Sequence, residues 1–138
     1  MSPDLLFVYG SLRPGFDGEM ALWLASVAQP LGAAVAQGTL YRIDYYPGFV
    51  PGGEDLVVGE LFRLPDAGAI LAVLDEHEEC AAHFPEPREY RRERVQVETV
   101  DGLLDAWTYV YARDVAGLER IAGGDFLGST SCAGTANR

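Results

Sequence analysis

Leu5-Leu6-Phe7-Val8-Tyr9-Gly10-Ser11 is the most informative segment of the chain, because five consecutive apolar residues end abruptly at a glycine. An unbroken apolar run, rather than an alternating one, is typical of a strand that is buried on both faces. Gly10 lets the main chain turn sharply and leaves room for a ligand to approach the backbone. Unpaired N–H groups in such a turn can hold a carboxylate or a developing oxyanion. An ordinary core strand followed by a turn fits the same residues, so the ligand site stays open at this point.

Outward from this strand, β-rich segments dominate and short helices lie between them. Residues 33–44 and 56–64 have strand character, and Gly38 predicts a bulge or bend in the first of these. Two prolines and three glycines in residues 45–55 predict a loop. Helices are expected over residues 17–27, with Asp17 as the cap and Leu22, Trp23 and Val27 partly buried, and over residues 67–79.

Asp101-Gly102 is a typical two-residue hairpin turn between strands at residues 90–100 and 103–112. If Val100 pairs with Leu103, Arg94 faces Tyr109 and Arg92 faces Tyr111. One face of the hairpin then carries arginines over aromatic rings, which favours a stable outer face over a ligand-facing one. The other face, with Val95, Val97, Ala106 and Val110, is expected to pack inward.

Charge and composition exclude several classes of partner. The formal net charge of −11 argues against a nucleic-acid groove, which needs a basic surface, and against anionic lipid. The acidic surface either aids solubility or attracts a cationic substrate. Cys80 and Cys132 have no metal-ligand spacing, residues 1–4 do not resemble a basic signal-peptide n-region, and no apolar stretch approaches the length of a membrane span. We therefore expect a cytoplasmic protein without a metal and with two free thiols, a single disulfide being the alternative. His77 and His83 are expected to be surface histidines.

Glu78 is a carboxylate on the apolar face of the second predicted helix. With Leu74 at the centre of the apolar face of the second helix, Glu78 lies only about 40° from that centre, whereas Glu76 and Glu79 lie roughly 200° and 140° away. A carboxylate that faces the interior must be paired, be protonated or line a cavity, and burial raises its pKa towards a range suited to proton transfer. A frayed helix end, with Glu78 in solvent or paired with Arg91 or Arg92, is the alternative.

Several short motifs, in order along the chain, resemble those of the γ-glutamylcyclotransferase-like family and together cover roughly residues 5–127. The motifs are Tyr9-Gly10-Ser11-Leu12, Tyr46-Pro47-Gly48 leading into Val58-Gly59-Glu60-Leu61-Phe62, Leu74-Asp75-Glu76-His77-Glu78, Tyr90-Arg91-Arg92, Ala106-Trp107-Thr108-Tyr109-Val110-Tyr111 and Gly124-Asp125-Phe126. The strand-rich pattern predicts an α+β fold with a mixed, barrel-like β-sheet and two or three short helices, and the resemblance implies the same fold with a cavity at one end. We expect a single domain over residues 1–128 and a flexible tail over residues 129–138.

The resemblance implies an enzyme that cyclises γ-glutamyl amides. The α-amine of the glutamyl group attacks its own γ-carbonyl, which releases 5-oxoproline and an amine without a cofactor or metal. Glu78 is then the general acid and base, and the main chain of Gly10, Ser11 and Leu12 holds the substrate carboxylate or oxyanion. Tyr9 shapes the wall, and Tyr46 and Tyr109 match the family's aromatic positions in the cavity. Arg92 is left open between a structural and a substrate-facing role.

Two departures from the family pattern bear on the substrate. Glu79-Cys80 follows Glu78 where many members have a glycine, and Asp17-Gly18-Glu19 lies near where many have an Asn-His pair. An acidic rim suits a cationic amine, such as a polyamine, a lysine side chain or an aminoglycoside. The alternatives are a non-catalytic module that binds a small metabolite, or a hydrolase or transferase acting on a related amide. A monomer or a weak homodimer is expected.

Overall fold

The computed structural model describes residues 4–10, 18–43, 46–78, 83 and 89–125. Within these ranges, strands β1 to β6 and helices α1 and α2 follow one another along the chain. They are β1 (Asp4–Val8), α1 (Glu19–Val27), β2 (Gln29–Arg42), β3 (Pro47–Leu64), α2 (Ala67–His77), β4 (Tyr90–Thr99), β5 (Gly102–Tyr111), β6 (Glu119–Arg120) and a final 3-10 turn (Ala122–Gly124). Neither helix is long and apolar enough for a membrane span in this described part of the chain.

Five of the strands close into a ring in the order β3-β1-β5-β4-β2, because β2 also pairs with β3. β1 runs parallel to β5, and the other pairings of the described strands are antiparallel. The short strand β6 extends the far end of β2. The expected α+β fold with a mixed, barrel-like sheet is therefore confirmed.

β1 is buried on both faces, as its unbroken apolar run predicts. Leu5 and Phe7 point into the core inside the ring, to which every ring strand contributes a side chain. Leu6 and Val8 point outward into a second core formed with α1 and α2. The alternation of side chains along a strand explains this division, because successive residues face opposite sides of the sheet. β1 thus joins the two cores.

The region predicted as a loop at residues 45–55 is mostly strand. Pro47 begins β3 opposite Arg42, and Pro51 lies opposite Gly38. The next partners are Leu56 and Gln37, so residues 52–55 bulge out of the ladder, and Gly52 and Gly53 have positive φ angles. Prolines are tolerated at a strand's first residue and at bulges, which is why the strand survives them. The irregularity predicted at Gly38 is confirmed.

The predicted hairpin forms with a different register. Thr99 pairs with Gly102, so Val100 and Asp101 make the turn and Gly102, with φ of 112°, opens β5. Arg94 consequently faces Trp107, not Tyr109, and Arg92 faces Tyr109, not Tyr111. The shift is two residues, so each side chain keeps its predicted face. Both guanidinium groups lie 4.5 Å from the Trp107 ring, and Val97, Ala106 and Val110 are buried on the inner face with Val95 packed against them.

Two details of the helices differ from the sequence prediction. In α1 the buried residues are Ala21 and Leu24, whereas Leu22 is 63% exposed. The helix begins after Gly18, and Asp17 lies outside the described residues. α2 ends at His77, one turn after Leu74, and Glu78 caps it. The predicted C-terminal tail also lies outside the described residues.

Gly59 provides a test of the close packing between β1 and β3. A Cβ atom at this position would lie 2.2 Å from the Val8 carbonyl oxygen and 2.8 Å from the Phe7 ring. We expect Gly59→Ala to lower the free energy of unfolding by about 1–3 kcal/mol, the typical cost of overpacking. Gly68→Ala is the control, because a Cβ in that α2 position meets nothing within 4 Å and alanine favours the helix by about 1 kcal/mol. Urea unfolding of both variants measures the difference, and equal effects would contradict the packing argument.

Candidate active site

A cavity of about 610 Å³ opens where β1 ends. Its wall combines residues from six parts of the fold: the end of β1, the start of α1, the entry to β3, the end of α2, the start of β4 and the middle of β5. The described lining residues are Phe7, Val8, Tyr9, Gly10, Gly18, Glu19, Met20, Ala21, Tyr46, Pro47, His77, Glu78, Glu89, Tyr90, Thr108 and Tyr109. This size is typical of a small-molecule site.

The cavity brings together Glu78, Gly10, Tyr9, Tyr46 and Tyr109, five of the residues that sequence reasoning selected. Ser11 and Leu12, the other two, lie outside the described residues. The residues gathered here are far apart in sequence, and the ring and its two helices bring them to one place.

Glu78 owes its position to the end of α2. Its backbone N–H donates to the Leu74 carbonyl at 2.8 Å, so the helical hydrogen-bond pattern continues one residue past the helix. The side chain therefore stays on the same side as Leu74, which is fully buried. Glu78 is half-buried and lines the cavity. A carboxylate held in this way can exchange protons with a bound molecule.

The tyrosines around the cavity are tied to the main chain. The Tyr9 hydroxyl donates to the Tyr109 carbonyl at 2.5 Å, and the Tyr90 hydroxyl donates to the Pro47 carbonyl at 2.6 Å. Burial, followed by the charge of Glu78, raises the pKa of Tyr9 well above its usual value. Burial also raises the pKa of Tyr90, with further contributions from Tyr9, Glu78, Glu89 and Tyr46. Both phenols therefore remain protonated donors and shape the wall.

A hydrogen-bonded ion pair fixes the last turn of α2 to the hairpin. Arg92 donates from Nε and Nη2 to the two Asp75 oxygens at 2.9 and 3.2 Å, and the Tyr109 hydroxyl donates to Asp75 Oδ1 at 2.8 Å. Asp75 precedes Glu78 by almost one helical turn, so this contact also holds the segment that carries Glu78. These contacts give Arg92 a structural role, and it is not among the described residues that line the cavity.

At the β1 turn, Gly10 packs against the Pro47 ring, and a Cβ at this position would lie 2.7 Å from Pro47 Cγ. The glycine is therefore needed for the close approach between the turn and the start of β3. The Thr108 hydroxyl, fully buried, donates to the Phe7 carbonyl at 2.9 Å and fixes the end of β1 against β5. These contacts hold Gly10 and the end of β1 at the cavity wall.

Sequence reasoning missed several lining residues. Tyr90 opens β4 and Glu89 precedes it, and Glu89 accepts a hydrogen bond from the Tyr46 hydroxyl at 2.6 Å. His77, treated as a surface histidine, is exposed but also lines the cavity. The signal available for Tyr90 was its place in the Tyr90-Arg91-Arg92 motif, whereas Glu89 follows a segment without periodicity. Among the described residues, no three His, Cys, Asp or Glu side chains form a group suited to a metal ion.

The sequence of the chain is similar to that of known proteins. The sequence model of the family described as "Gamma-glutamyl cyclotransferase, AIG2-like" matches residues 6–128. The chain is 40% identical over 123 residues to "Gamma-glutamylcyclotransferase family protein YtfP" of Escherichia coli K12, covering 88% of this chain and 95% of the relative.

Solved structures agree with the fold. The solution structure of ytfP from Escherichia coli shares 36% identity and a TM-score of 0.60, covering 89% of this chain and 96% of that one. An AIG2-like protein from mouse has a TM-score of 0.64 at 22% identity, covering 81% of this chain and 79% of that one. At that identity the likeness to the mouse protein supports the fold alone.

The Asp75–Arg92 pair can be tested by Asp75→Asn, which keeps the shape of the side chain and removes its charge. Because both side chains are largely removed from solvent, we expect a loss of about 1–2 kcal/mol in the free energy of unfolding. Asp66→Asn is the control, since Asp66 is exposed and makes no side-chain cap hydrogen bond at the start of α2. Urea unfolding measures both, and a loss no larger than that of the control would show that the pair is energetically neutral.

The buried tyrosines predict a loss of stability at alkaline pH. The unfolded chain releases tyrosine protons near pH 10, whereas the raised pKa values of Tyr9 and Tyr90 keep those protons on the folded protein. The unfolded state thus binds fewer protons, and stability falls above about pH 10, by up to about 1.4 kcal/mol per pH unit for each tyrosine. All ten basic residues are arginines, which stay charged throughout this range.

Urea unfolding between pH 9 and 11.5 measures this decline. Tyr90→Phe removes one of the two groups and should make the decline of stability with pH shallower. An unchanged slope in this variant would show that Tyr90 does not contribute to the linkage.

Proposed function

Because this chain belongs to the γ-glutamylcyclotransferase, AIG2-like family, we propose that it cyclises a γ-glutamyl amide to 5-oxoproline and releases an amine. The observation that carries the proposal is the shared cavity of Glu78 and the Gly10 turn. Glu78 supplies a half-buried carboxylate to the same cavity as Gly10 and the protonated tyrosines Tyr9 and Tyr90. An intramolecular reaction requires little more.

The chemistry needs positioning and one proton shuttle. Deprotonation of the substrate's α-ammonium by Glu78 gives a neutral amine, whose nitrogen attacks the γ-carbonyl carbon. The C–N bond of the lactam forms, the amide C–N bond breaks, and Glu78 returns this proton to the departing nitrogen. Glu78 then carries the second proton from the attacking nitrogen to the released amine, which leaves the lactam nitrogen with one hydrogen. The positive charge that begins on the α-ammonium ends on the released ammonium, and no water is consumed. Holding the amine against the carbonyl supplies much of the rate gain, as in other intramolecular reactions.

Within this proposal the main chain of the turn at Gly10, Ser11 and Leu12 holds the substrate carboxylate or the oxyanion. Tyr9 contributes the wall, and its hydroxyl is engaged by the Tyr109 carbonyl. Tyr46 and Tyr109 likewise contribute ring surface, with their hydroxyls on Glu89 and Asp75. Glu78 is thus the group proposed to exchange protons with the substrate.

Glu78→Gln tests the assignment, because glutamine keeps the size of the side chain but cannot shuttle a proton. We expect 5-oxoproline formation from a panel of γ-glutamyl amines to fall by about 10²–10⁴-fold, with no change in the unfolding midpoint beyond that of the control. Glu76→Gln is the matched control on the same helical turn, because Glu76 is exposed and is not among the described cavity residues. It should keep wild-type turnover.

The panel also separates the alternatives. Free glutamate in place of 5-oxoproline would indicate a hydrolase, and transfer of the glutamyl group to an added amine would indicate a transferase. Binding without any product would indicate a non-catalytic module. Wild-type turnover by Glu78→Gln would show that Glu78 is not the proton shuttle, even if cyclisation itself occurs.

A further inference from the structure

Asp75 is a carboxylate in the last turn of α2 that the proposed proton transfer does not use. Its side chain is only 18% exposed, and two different side chains donate to it. Arg92 donates through Nε and Nη2 at 2.9 and 3.2 Å, and the Tyr109 hydroxyl donates at 2.8 Å. Asp75 is not among the described residues that line the cavity. Any effect of Asp75 on a molecule bound there therefore passes through its neighbours.

Tyr109 connects Asp75 to both parts of the candidate site. Its side chain lies in the outer core with Leu74, and its hydroxyl donates to Asp75 on α2. Its carbonyl accepts the Tyr9 hydroxyl at 2.5 Å, and Tyr9 lies in the core inside the ring. Because Tyr9 directly precedes Gly10, Tyr109 links the end of α2 to the residue that opens the turn.

This link supplies what the apolar packing of α2 lacks. Ile70, Leu71 and Leu74 bury one face of the helix, but apolar burial is non-directional and sets the rotation of a short helix only loosely. Hydrogen bonds are directional, so the contacts of Asp75 fix that rotation. Glu78 follows the rotation, because its backbone N–H donates to the Leu74 carbonyl at 2.8 Å. A misplacement of about 1 Å in a catalytic group can cost about 10²-fold in rate, so this orientation matters for turnover.

We propose that Asp75 is a positioning residue, which aligns the Glu78 carboxylate with the Gly10 turn through the Tyr109 hydroxyl. This inference rests on the proposed cyclisation for the reaction that the alignment serves. The alignment itself is a property of the folded protein and can be measured without turnover. The two can therefore fail separately.

Tyr109→Phe is the first test, because it removes the hydroxyl and keeps both the ring on the cavity wall and the carbonyl that holds Tyr9. We expect kcat for 5-oxoproline formation to fall about tenfold while KM stays within about twofold, since the contacts to the bound substrate persist and only the proton shuttle is displaced. Loss of one hydrogen bond leaves the folded fraction above about 99%, so unfolding does not account for such a fall. An unchanged kcat would overturn the inference and leave cyclisation intact.

Two substitutions of Asp75 separate alignment from stability. Asp75→Asn loses the charge that pairs with Arg92 but keeps an oxygen that can accept from the Tyr109 hydroxyl, whereas Asp75→Ala loses both. Turnover by the asparagine variant should stay within about threefold of wild type, and that of the alanine variant should fall about tenfold. Equal turnover by the two variants would overturn the inference.

The double variant tests whether Asp75 acts through Tyr109. Asp75→Ala combined with Tyr109→Phe should be no slower than the slower single variant, because both changes remove the same contact. Multiplied losses would overturn the inference. If an unfolding curve shows that Asp75→Ala does not fold, the kcat of Tyr109→Phe decides alone.

Amide hydrogen exchange tests the alignment without turnover, and the chain provides its own reference. The Glu78 and Ala28 N–H groups each donate to the carbonyl four residues earlier, at the ends of α2 and α1. We expect Tyr109→Phe to speed exchange at Glu78 by about tenfold and to leave Ala28 unchanged, because local opening is then confined to α2. Asp66→Asn is the control, since Asp66 is exposed at the other end of α2, and it should leave both rates unchanged.

The exchange rates decide the inference even if wild-type protein forms no 5-oxoproline, a result that would leave the proposed cyclisation without support. Faster exchange at Glu78 alone supports the positioning role of the Asp75–Tyr109 contact. Equal acceleration at Glu78 and Ala28 would indicate a general loss of stability and overturn that role. An unchanged rate at Glu78 would overturn it as well.

Discussion

The double burial of β1 is the constraint on which the rest of the structure depends. Leu5 and Phe7 fill the ring while Leu6 and Val8 fill the space under the helices. Fully burying such side chains contributes about 1.5–3 kcal/mol each, so the strand cannot slip by one residue without exchanging the two cores. The end of β1 is fixed as a result, and the Gly10 turn always meets Pro47 at the same place.

Much of this arrangement could be predicted from the sequence because it depends on local pattern. The apolar run of β1 and the spacing of Leu74 and Glu78 along a helix follow from short-range periodicity, and the presence of the hairpin follows from its turn residues. The prediction of a loop at residues 45–55 was wrong. The prolines and glycines there favour a loop locally, but the long antiparallel pairing of β3 with β2 outweighs that preference. The predicted hairpin register was wrong because a glycine can lie either within a two-residue turn or directly after it. Gly102 was expected within the turn, and in the structure it is the first residue of β5.

The candidate site was only partly predictable, for a related reason. Glu78 was found because the helical periodicity of α2 predicts that its side chain lies on the same face as Leu74. Glu89 and Tyr90 line the cavity through the closure of the ring, which brings the start of β4 beside the end of β1. No sequence pattern near Glu89 predicts that closure. The electrostatic character of the cavity, three carboxylates without an arginine among its described lining residues, likewise emerges only from the assembled fold.

The end of α2 has a consequence for how this chain tolerates changes of length. Glu78 follows Leu74 by four residues, and each residue inserted or deleted between them rotates the carboxylate by about 100° about the helix axis. A single such event would turn the Glu78 carboxylate out of the cavity. The bulge at residues 52–55, which already lies outside the ladder, has no comparable angular constraint. Natural variation in length is therefore expected to accumulate in that bulge and to be absent from the last turn of α2.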